Sequence, residues 1–141
     1  MRMRPFIRRL LAAASLVPFI FASPAALGGY RENMNVTEIE IALLPQFCWA
    51  QFEVPNAQGD DFRIQNCGPA ANHYCPGLIY LIRAKRSAGR GKPLPLIQHA
   101  SIDVRYTEDA IAKYPKCSIR EHVTATRAEI NHLLRIYGGK P

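Results

Sequence analysis

Asn72–Arg86, with the sequence NHYCPGLIYLIRAKR, is the stretch that decides the fold. It begins with polar residues, passes through a Cys-Pro-Gly step, becomes apolar and ends among cations. Leu78, Leu81 and Ile82 recur at the spacing of one helix face. The aliphatic stem of Lys85 extends the same face. The pattern predicts a helix with one apolar side, against which the other segments pack.

Prolines limit where this helix can begin. Pro76 suits the first helical position, because its missing N–H would have no partner there. If the helix instead begins at Pro69, Pro76 lies inside it and would kink it. We therefore expect the helix to begin between Pro69 and Pro76.

A second helix is predicted after a connector. Residues 87–95 contain two glycines and two prolines, a composition typical of a mobile loop. The apolar pattern over residues 96–114 then indicates a helix that ends at Tyr114-Pro115.

The last helix is predicted over residues 118–137. Ser118 and Glu121 have the spacing of a capping box, and Gly138-Gly139 provides a stop. No segment alternates apolar and polar residues convincingly with a period of two. The predicted fold class is therefore all-α, with antiparallel helix hairpins.

A short helix is predicted upstream. Asn35 suits the N-cap position, with Glu38 reaching back to it. Ile39 and Leu43 would then share the apolar face. Pro45 would end the helix, because proline lacks the backbone donor that the helix needs.

The aromatic segment Phe47–Phe52 follows this helix. We interpret it as a plug of the core fixed beside a disulfide, since no polar cluster surrounds it as a ligand pocket would need. Residues 54–68 are rich in turn formers and predict an irregular loop.

The N-terminus has the parts of a secretory signal. Its first nine residues contain four arginines and no acid, and the apolar run Leu10–Ala22 follows. We expect a signal peptide over 1–25, a flexible lead-in over 26–34 and a helical-repeat-like domain over 35–139. The protein would then be periplasmic or secreted.

The alternative is an uncleaved leader that anchors the protein in the inner membrane as a membrane subunit. The apolar run is shorter than the roughly 20 residues that a bilayer span needs, and Pro18 interrupts it. The length of the run favours a cleaved signal.

The leader accounts for +4 of the formal net charge of +7. Residues 26–141 carry 14 Lys and Arg against 11 Asp and Glu. A net charge of +3, without a basic face that has interleaved aromatics, gives no indication of nucleic-acid binding.

The chain has four cysteines, Cys48, Cys67, Cys75 and Cys117. In an exported domain of this size, an even count predicts two disulfides, which can form in three pairings. We favour Cys48–Cys75 with Cys67–Cys117.

A metal- or redox-active protein centred on Cys67, His73 and Cys75 is an alternative. These residues could supply three of four zinc ligands. Their spacing matches no paired Cys-x-x-Cys motif, and in an oxidising compartment the thiols would form disulfides. We expect no metal and no cofactor.

Two segments and the helix pair that follows them resemble exported bacterial proteins with tetratricopeptide-like repeats. The segments are Leu43–Cys48, LLPQFC, and Asn72–Leu78, NHYCPGL. The small, aromatic and proline positions of such repeats are matched by Gly77 with Tyr80, by Ala110 with Pro115, and by Ala125.

The chain departs from the repeat pattern in places. The connector over 87–95 is longer than a repeat turn, and Asp103 and Thr107 replace the small and aromatic residues. The resemblance implies about one and a half repeats, stapled by disulfides. It also implies a protein that binds peptides or proteins and performs no chemistry.

The residues themselves indicate no active site, so we expect a non-enzymatic protein-binding module or small accessory subunit of a bacterial envelope complex. The cations after Asn72–Ile82 could merely complement the negative end of a helix. They could also dock another envelope protein or make peripheral contact with a membrane. The candidate binding residues are Tyr80, Arg83, Lys85, Arg86, Arg90 and Lys92.

Overall fold

The computed structural model of the chain describes residues 30–140. Within that range all regular structure is helical, which confirms the predicted all-α class. The predicted signal peptide or anchor, residues 26–29 and Pro141 lie outside the described residues. The α-helices are α1 (Tyr30–Asn33), α2 (Glu38–Ala42), α3 (Tyr74–Ser87), α4 (Leu94–Ile111) and α5 (Arg120–Ile136), and the 3-10 helices are Gln46–Phe52, Asp60–Phe62 and Pro69–His73.

Both prolines of the deciding stretch have a place in the helix. Pro69 opens the 3-10 helix, which leads directly into α3, and Pro76 lies in the first turn of α3. Neither position needs a backbone donor. The buried face of α3 includes Ile79, which is fully buried, while Ile82 is half-buried and Lys85 is exposed.

The α3 segment and α4 form an antiparallel hairpin. Tyr80 stacks on His99 with ring centroids 5.1 Å apart, and His73 meets Tyr106 at 4.7 Å. Residue numbers therefore rise along one partner as they fall along the other. Between these contacts, a Cβ at Gly77 would lie 3.0 Å from the Asp103 Cβ.

α5 closes the other side of α4, again antiparallel. Arg120 donates to the Ile111 carbonyl at 2.7 Å, and Arg127 donates to Ser101 Oγ at 2.8 Å. The buried positions of α4 recur at spacings of three and four, which is the helical period of a core face. They are Ile97, Ala100, Val104, Thr107 and Ile111.

We expect Gly77→Val to destabilise the protein by about 2 kcal/mol, because the larger side chain would be forced into the α3–α4 contact. Gly91→Val is the matched control, since a Cβ at Gly91 meets nothing within 4 Å. Urea unfolding measures both. Equal losses for the two variants would contradict a close helix contact at Gly77.

The helix predicted from Asn35 is capped elsewhere. Asn35 has a φ of 49°, a left-handed conformation, and Thr37 is the N-cap, with its hydroxyl accepting from the Glu40 N–H. The prediction of Ile39 and Leu43 as the apolar face is wrong, because both are more than half exposed.

The C-terminal part of the predicted lead-in is helical. Residues 30–33 form α1, and the side chains of Tyr30 and Met34 pack against the core. The carbonyl oxygens of Met34 and Asn35 accept from the Arg83 guanidinium at 3.0 and 3.2 Å. This N-terminal arm, residues 30–44, is therefore fastened to α3.

Glu40 forms the centre of that fastening. Its carboxylate is buried and accepts from Arg83 Nε at 2.7 Å and from Arg83 Nη2 at 3.1 Å. The hydrogen bond from Arg83 lowers the pKa of Glu40 from 4.5 to about 2, against the opposing effect of burial. Because the folded pKa lies below the ordinary value, the pair contributes fully above about pH 4.5. Its contribution is lost as the pH falls towards 2.

We expect Glu40→Gln to lower the free energy of unfolding by about 2 kcal/mol at pH 7, because Arg83 loses its charged acceptor. The difference from the parent protein should shrink between pH 5 and pH 2, where the parent carboxylate is protonated. Urea unfolding across this pH range measures it. Glu38→Gln is the control: Glu38 is exposed and pairs with Arg31, so we expect a change below about 0.5 kcal/mol.

The structure contains both disulfides of the favoured pairing. Cys48 bonds to Cys75 and Cys67 to Cys117. The first joins the aromatic segment to α3. Cys48 and Phe52 of the aromatic segment are fully buried, as expected of a core plug. The second joins the irregular loop to the turn before α5.

The start of α5 also differs from the prediction. Ser118 does not cap the helix: its hydroxyl accepts from the Gln65 N–H at 3.0 Å and so holds the loop. Ile119 occupies the N-cap position with no side-chain hydrogen bond. At the other end Gly138 has a φ of 78°, and the Gly139 N–H bonds the Leu134 carbonyl, which gives the predicted glycine stop.

Candidate binding surface

Three helix termini meet at one end of the helical layer. The antiparallel order places the C-termini of α3 and α5 beside the N-terminus of α4, with the connector between α3 and α4 at the same end. We call this surface the basic end because the charged residues within 84–102 and 130–139, the segments which form it, are all Lys or Arg. They are Lys85, Arg86, Arg90, Lys92 and Arg135.

Charge is unevenly distributed over the protein. Residues 84–102 and 130–139 together contain five Lys or Arg and no Asp or Glu. The other residues between 30 and 140 contain nine Lys or Arg and eleven Asp or Glu. The basic end therefore carries all the net positive charge of the described chain, and anions approaching it meet an attractive field.

An apolar groove crosses the basic end beside Tyr137. A depression of about 410 Å³ lies between Tyr137 and the start of α4, lined by Pro93, Leu94 and Pro95 together with Lys92. A second depression of about 150 Å³ lies on the α3 side of Tyr137, with Lys85 at its edge. We call the two depressions together the Tyr137 groove.

The structure separates the candidate binding residues into two groups. Arg86, Arg90 and Lys92 are exposed at the basic end. Lys85 is also exposed there, and its ammonium group pairs with Glu129 of α5 at 2.5 Å. These four cations remain candidates for binding a partner.

Arg83 and Tyr80 have internal roles instead. The Arg83 guanidinium is committed to Glu40 and to two carbonyls of the N-terminal arm. The half-buried Tyr80 ring stacks on His99 in the α3–α4 seam. We therefore leave both out of the basic end.

The Tyr137 groove was not anticipated from the sequence. Its walls come from the start of α4 and the end of α5, which are more than 40 residues apart in the chain. The only local signal is the Pro-Leu-Pro step at 93–95, which lies in the predicted connector. The proximity of Tyr137 to this step depends on the helix packing.

The cysteine–histidine centre does not assemble in this oxidised form. Cys67 and Cys75 belong to different disulfides, so neither offers a thiolate. His73 Nδ1 lies 3.6 Å from Asp103 Oδ1 on α4. Among residues 30–140, no group of three or more His, Cys, Asp or Glu is arranged to hold a metal ion.

Asp103 lies in the seam between the two helices. Burial raises the pKa of its carboxyl, and the hydrogen bond with His73 opposes that rise. The seam thus joins α3 and α4 through a polar contact as well as through ring stacking.

A further depression of about 290 Å³ lies beside the aromatic segment. Phe47, Phe62 and Arg63 line it. Phe47 also stacks with the buried Tyr74 and meets the ring edge of His122 at 5.0 Å. The ring of Phe47 therefore serves mainly to close the core.

Comparisons with protein-family models, with curated proteins and with solved structures find no match for this chain. Between residues 30 and 140, none of the helices combines the length and apolarity that crossing a membrane requires.

We expect the protein, denatured without reductant, to show no reactive thiol, because all four cysteines are paired. A thiol-reactive chromophore in guanidinium measures this, and the same assay after reduction provides the positive control with four thiols. Free thiols before reduction that also bind zinc would favour the centre at Cys67, His73 and Cys75.

Proposed function

We propose that the protein is a non-enzymatic protein-binding module or small accessory subunit of a bacterial envelope complex, and that the basic end is its interface. The observation that carries this proposal is the separation of charge: five cations and no acid lie in the segments that form one end. Such a surface favours an acidic partner and speeds its encounter.

The position of the cations supports an interface. A cation near the C-terminus of a helix is favourable by itself, which would account for Lys85, Arg86 and Arg135. Arg90 and Lys92 lie on the connector, outside the helices. The helix dipole gives no reason for cations there, whereas binding an acidic partner does.

The resemblance to tetratricopeptide-like repeats belongs to the same proposal. α3 and α4 would correspond to one repeat and α5 to half of the next. The position of Gly77 against Asp103 suits the small residue that allows two repeat helices to approach. So few units do not stabilise one another, and the disulfides and the N-terminal arm would supply what is missing.

Export to an oxidising compartment is the remaining part of the proposal. Two disulfides support it, because disulfides persist in secreted and periplasmic proteins and are rare where thiols are kept reduced. The leader-like composition of residues 1–25 agrees with this location.

The test is affinity purification of the chain from native envelopes. The chain carries a C-terminal tag on a flexible linker. We expect a stoichiometric partner with the parent protein and its loss with the triple variant Arg86→Glu, Arg90→Glu, Lys92→Glu, because the reversed charges repel an acidic surface.

The matched control reverses three exposed cations elsewhere, with Arg63→Glu, Arg105→Glu and Lys116→Glu. It changes the net charge equally and should keep the partner. No stoichiometric partner with the parent chain, or a partner retained by the first triple variant, would overturn the assignment of the interface.

A further inference from the structure

We infer that the Tyr137 groove and the cations at its rim together recognise an acidic segment of the partner that carries apolar side chains. This inference rests on the proposed function and specifies what the basic end binds. The segment's apolar side chains would fill the two depressions, and its carboxylates would face Lys92 and Lys85.

The shape of the groove favours a side chain as its occupant. The larger depression, about 410 Å³, has walls of Pro93, Leu94, Pro95 and Tyr137, and one cation at its edge. Burying an apolar side chain there removes apolar surface of both partners from water. A peptide can place a side chain in such a concavity.

The two depressions adjoin at a single ring. Tyr137 lines both, with Leu133 and Ala84 completing the smaller depression. The ring is half-buried and packs against the core with no partner bound, so the groove is present in the free protein. A preformed groove lowers the entropic cost of binding.

The charges at the rim specify the sign of the segment. Lys92 and Lys85 border the two depressions, and Arg90 precedes the larger one along the connector. No acid lies in the segments that form this end. An acidic segment gains from Arg90 and Lys92, and from Lys85 in exchange for its pairing with Glu129, whereas a neutral apolar segment would use the groove alone.

The same cations would also attract an anionic bilayer. A flat lipid surface gains from the charges but does not fill a concave groove, and the leucine and tyrosine side chains lining it do not protrude as membrane anchors would. Leu94 and Tyr137 are half-buried rather than exposed. The groove therefore favours the acidic segment over the membrane.

The test uses fluorescein-labelled synthetic peptides and the full chain purified with its disulfides intact. The first probe is a peptide of glutamates with two leucines, and the second replaces both leucines by glutamate. We expect fluorescence anisotropy to show binding of the first peptide and binding of the second that is about tenfold weaker or more, because the groove stays empty. Vesicles containing phosphatidylglycerol are the third probe.

Two variants test the groove and its rim separately. Pro95→Glu places a carboxylate in the groove at an exposed position in the first turn of α4, where an acid favours the helix. Lys92→Glu reverses the rim charge. We expect each to weaken binding of the leucine-containing peptide by about tenfold.

Lys116→Glu is the control variant. Lys116 lies with Pro115 and Tyr114 at another depression, of about 400 Å³, near the start of α5. Like the larger depression of the Tyr137 groove, this one is lined by a tyrosine, a proline and a lysine. We expect the Lys116→Glu variant to bind like the parent. Circular dichroism and urea unfolding confirm that each variant is folded.

Three results would overturn the inference: equal binding of both peptides, no binding of either, or binding to the vesicles with no binding of the peptides. Each can occur while the envelope purification still returns a partner that depends on Arg86, Arg90 and Lys92. In that event the proposed function stands and the recognised element is different. Loss of the partner from the purification itself would remove both.

Discussion

Two covalent links hold together the part of the protein that lacks long helices. Residues 43–73 contain only short 3-10 helices and loops, which bury few backbone hydrogen bonds of their own. Cys48–Cys75 fixes the aromatic segment on α3, and Cys67–Cys117 fixes the loop on the turn before α5. By restricting the unfolded chain, links of this kind contribute on the order of 3 to 4 kcal/mol each. The three longer helices are held by their packed apolar faces, whereas residues 43–73 are held in place mainly by the two disulfides.

The long helices could be predicted because their signals repeat. α4 and α5 run through several turns, and the apolar spacing repeats in each turn. One residue that departs from the pattern therefore does not hide the helix. α2 has only five residues, and there the helical spacing predicts an apolar face of Ile39 and Leu43, both of which are exposed. The buried residues of α2 are Glu40 and Ile41. Glu40 can be buried because Arg83 compensates its charge. That compensation comes from a residue 43 positions away and leaves no local signal.

The candidate surface could be predicted only in part, again because some of its contacts join residues that are distant in the chain. The sequence shows the cations at 85–92 directly, since they are adjacent in the chain. It does not show that Arg83 turns inward to the N-terminal arm or that Lys85 pairs with Glu129. The Tyr137 groove requires the antiparallel return of α5 beside the start of α4. A surface shared by three helix termini exists only after the helices have packed.

The connector at the basic end also offers an exposed cleavage site to a protease with trypsin-like specificity. It is exposed and rich in glycine, and Arg90 lies in a turn whose Arg90 and Gly91 N–H groups donate to the Ser87 carbonyl. Cys67 and Cys117 lie on opposite sides of it, so a cut after Arg90 would leave the two halves joined by their disulfide. Cleavage would release the new chain ends at Arg90 and Gly91, while α3 and α4 stayed packed. Such a nicked protein would keep its core and lose the continuous chain that bears the cations.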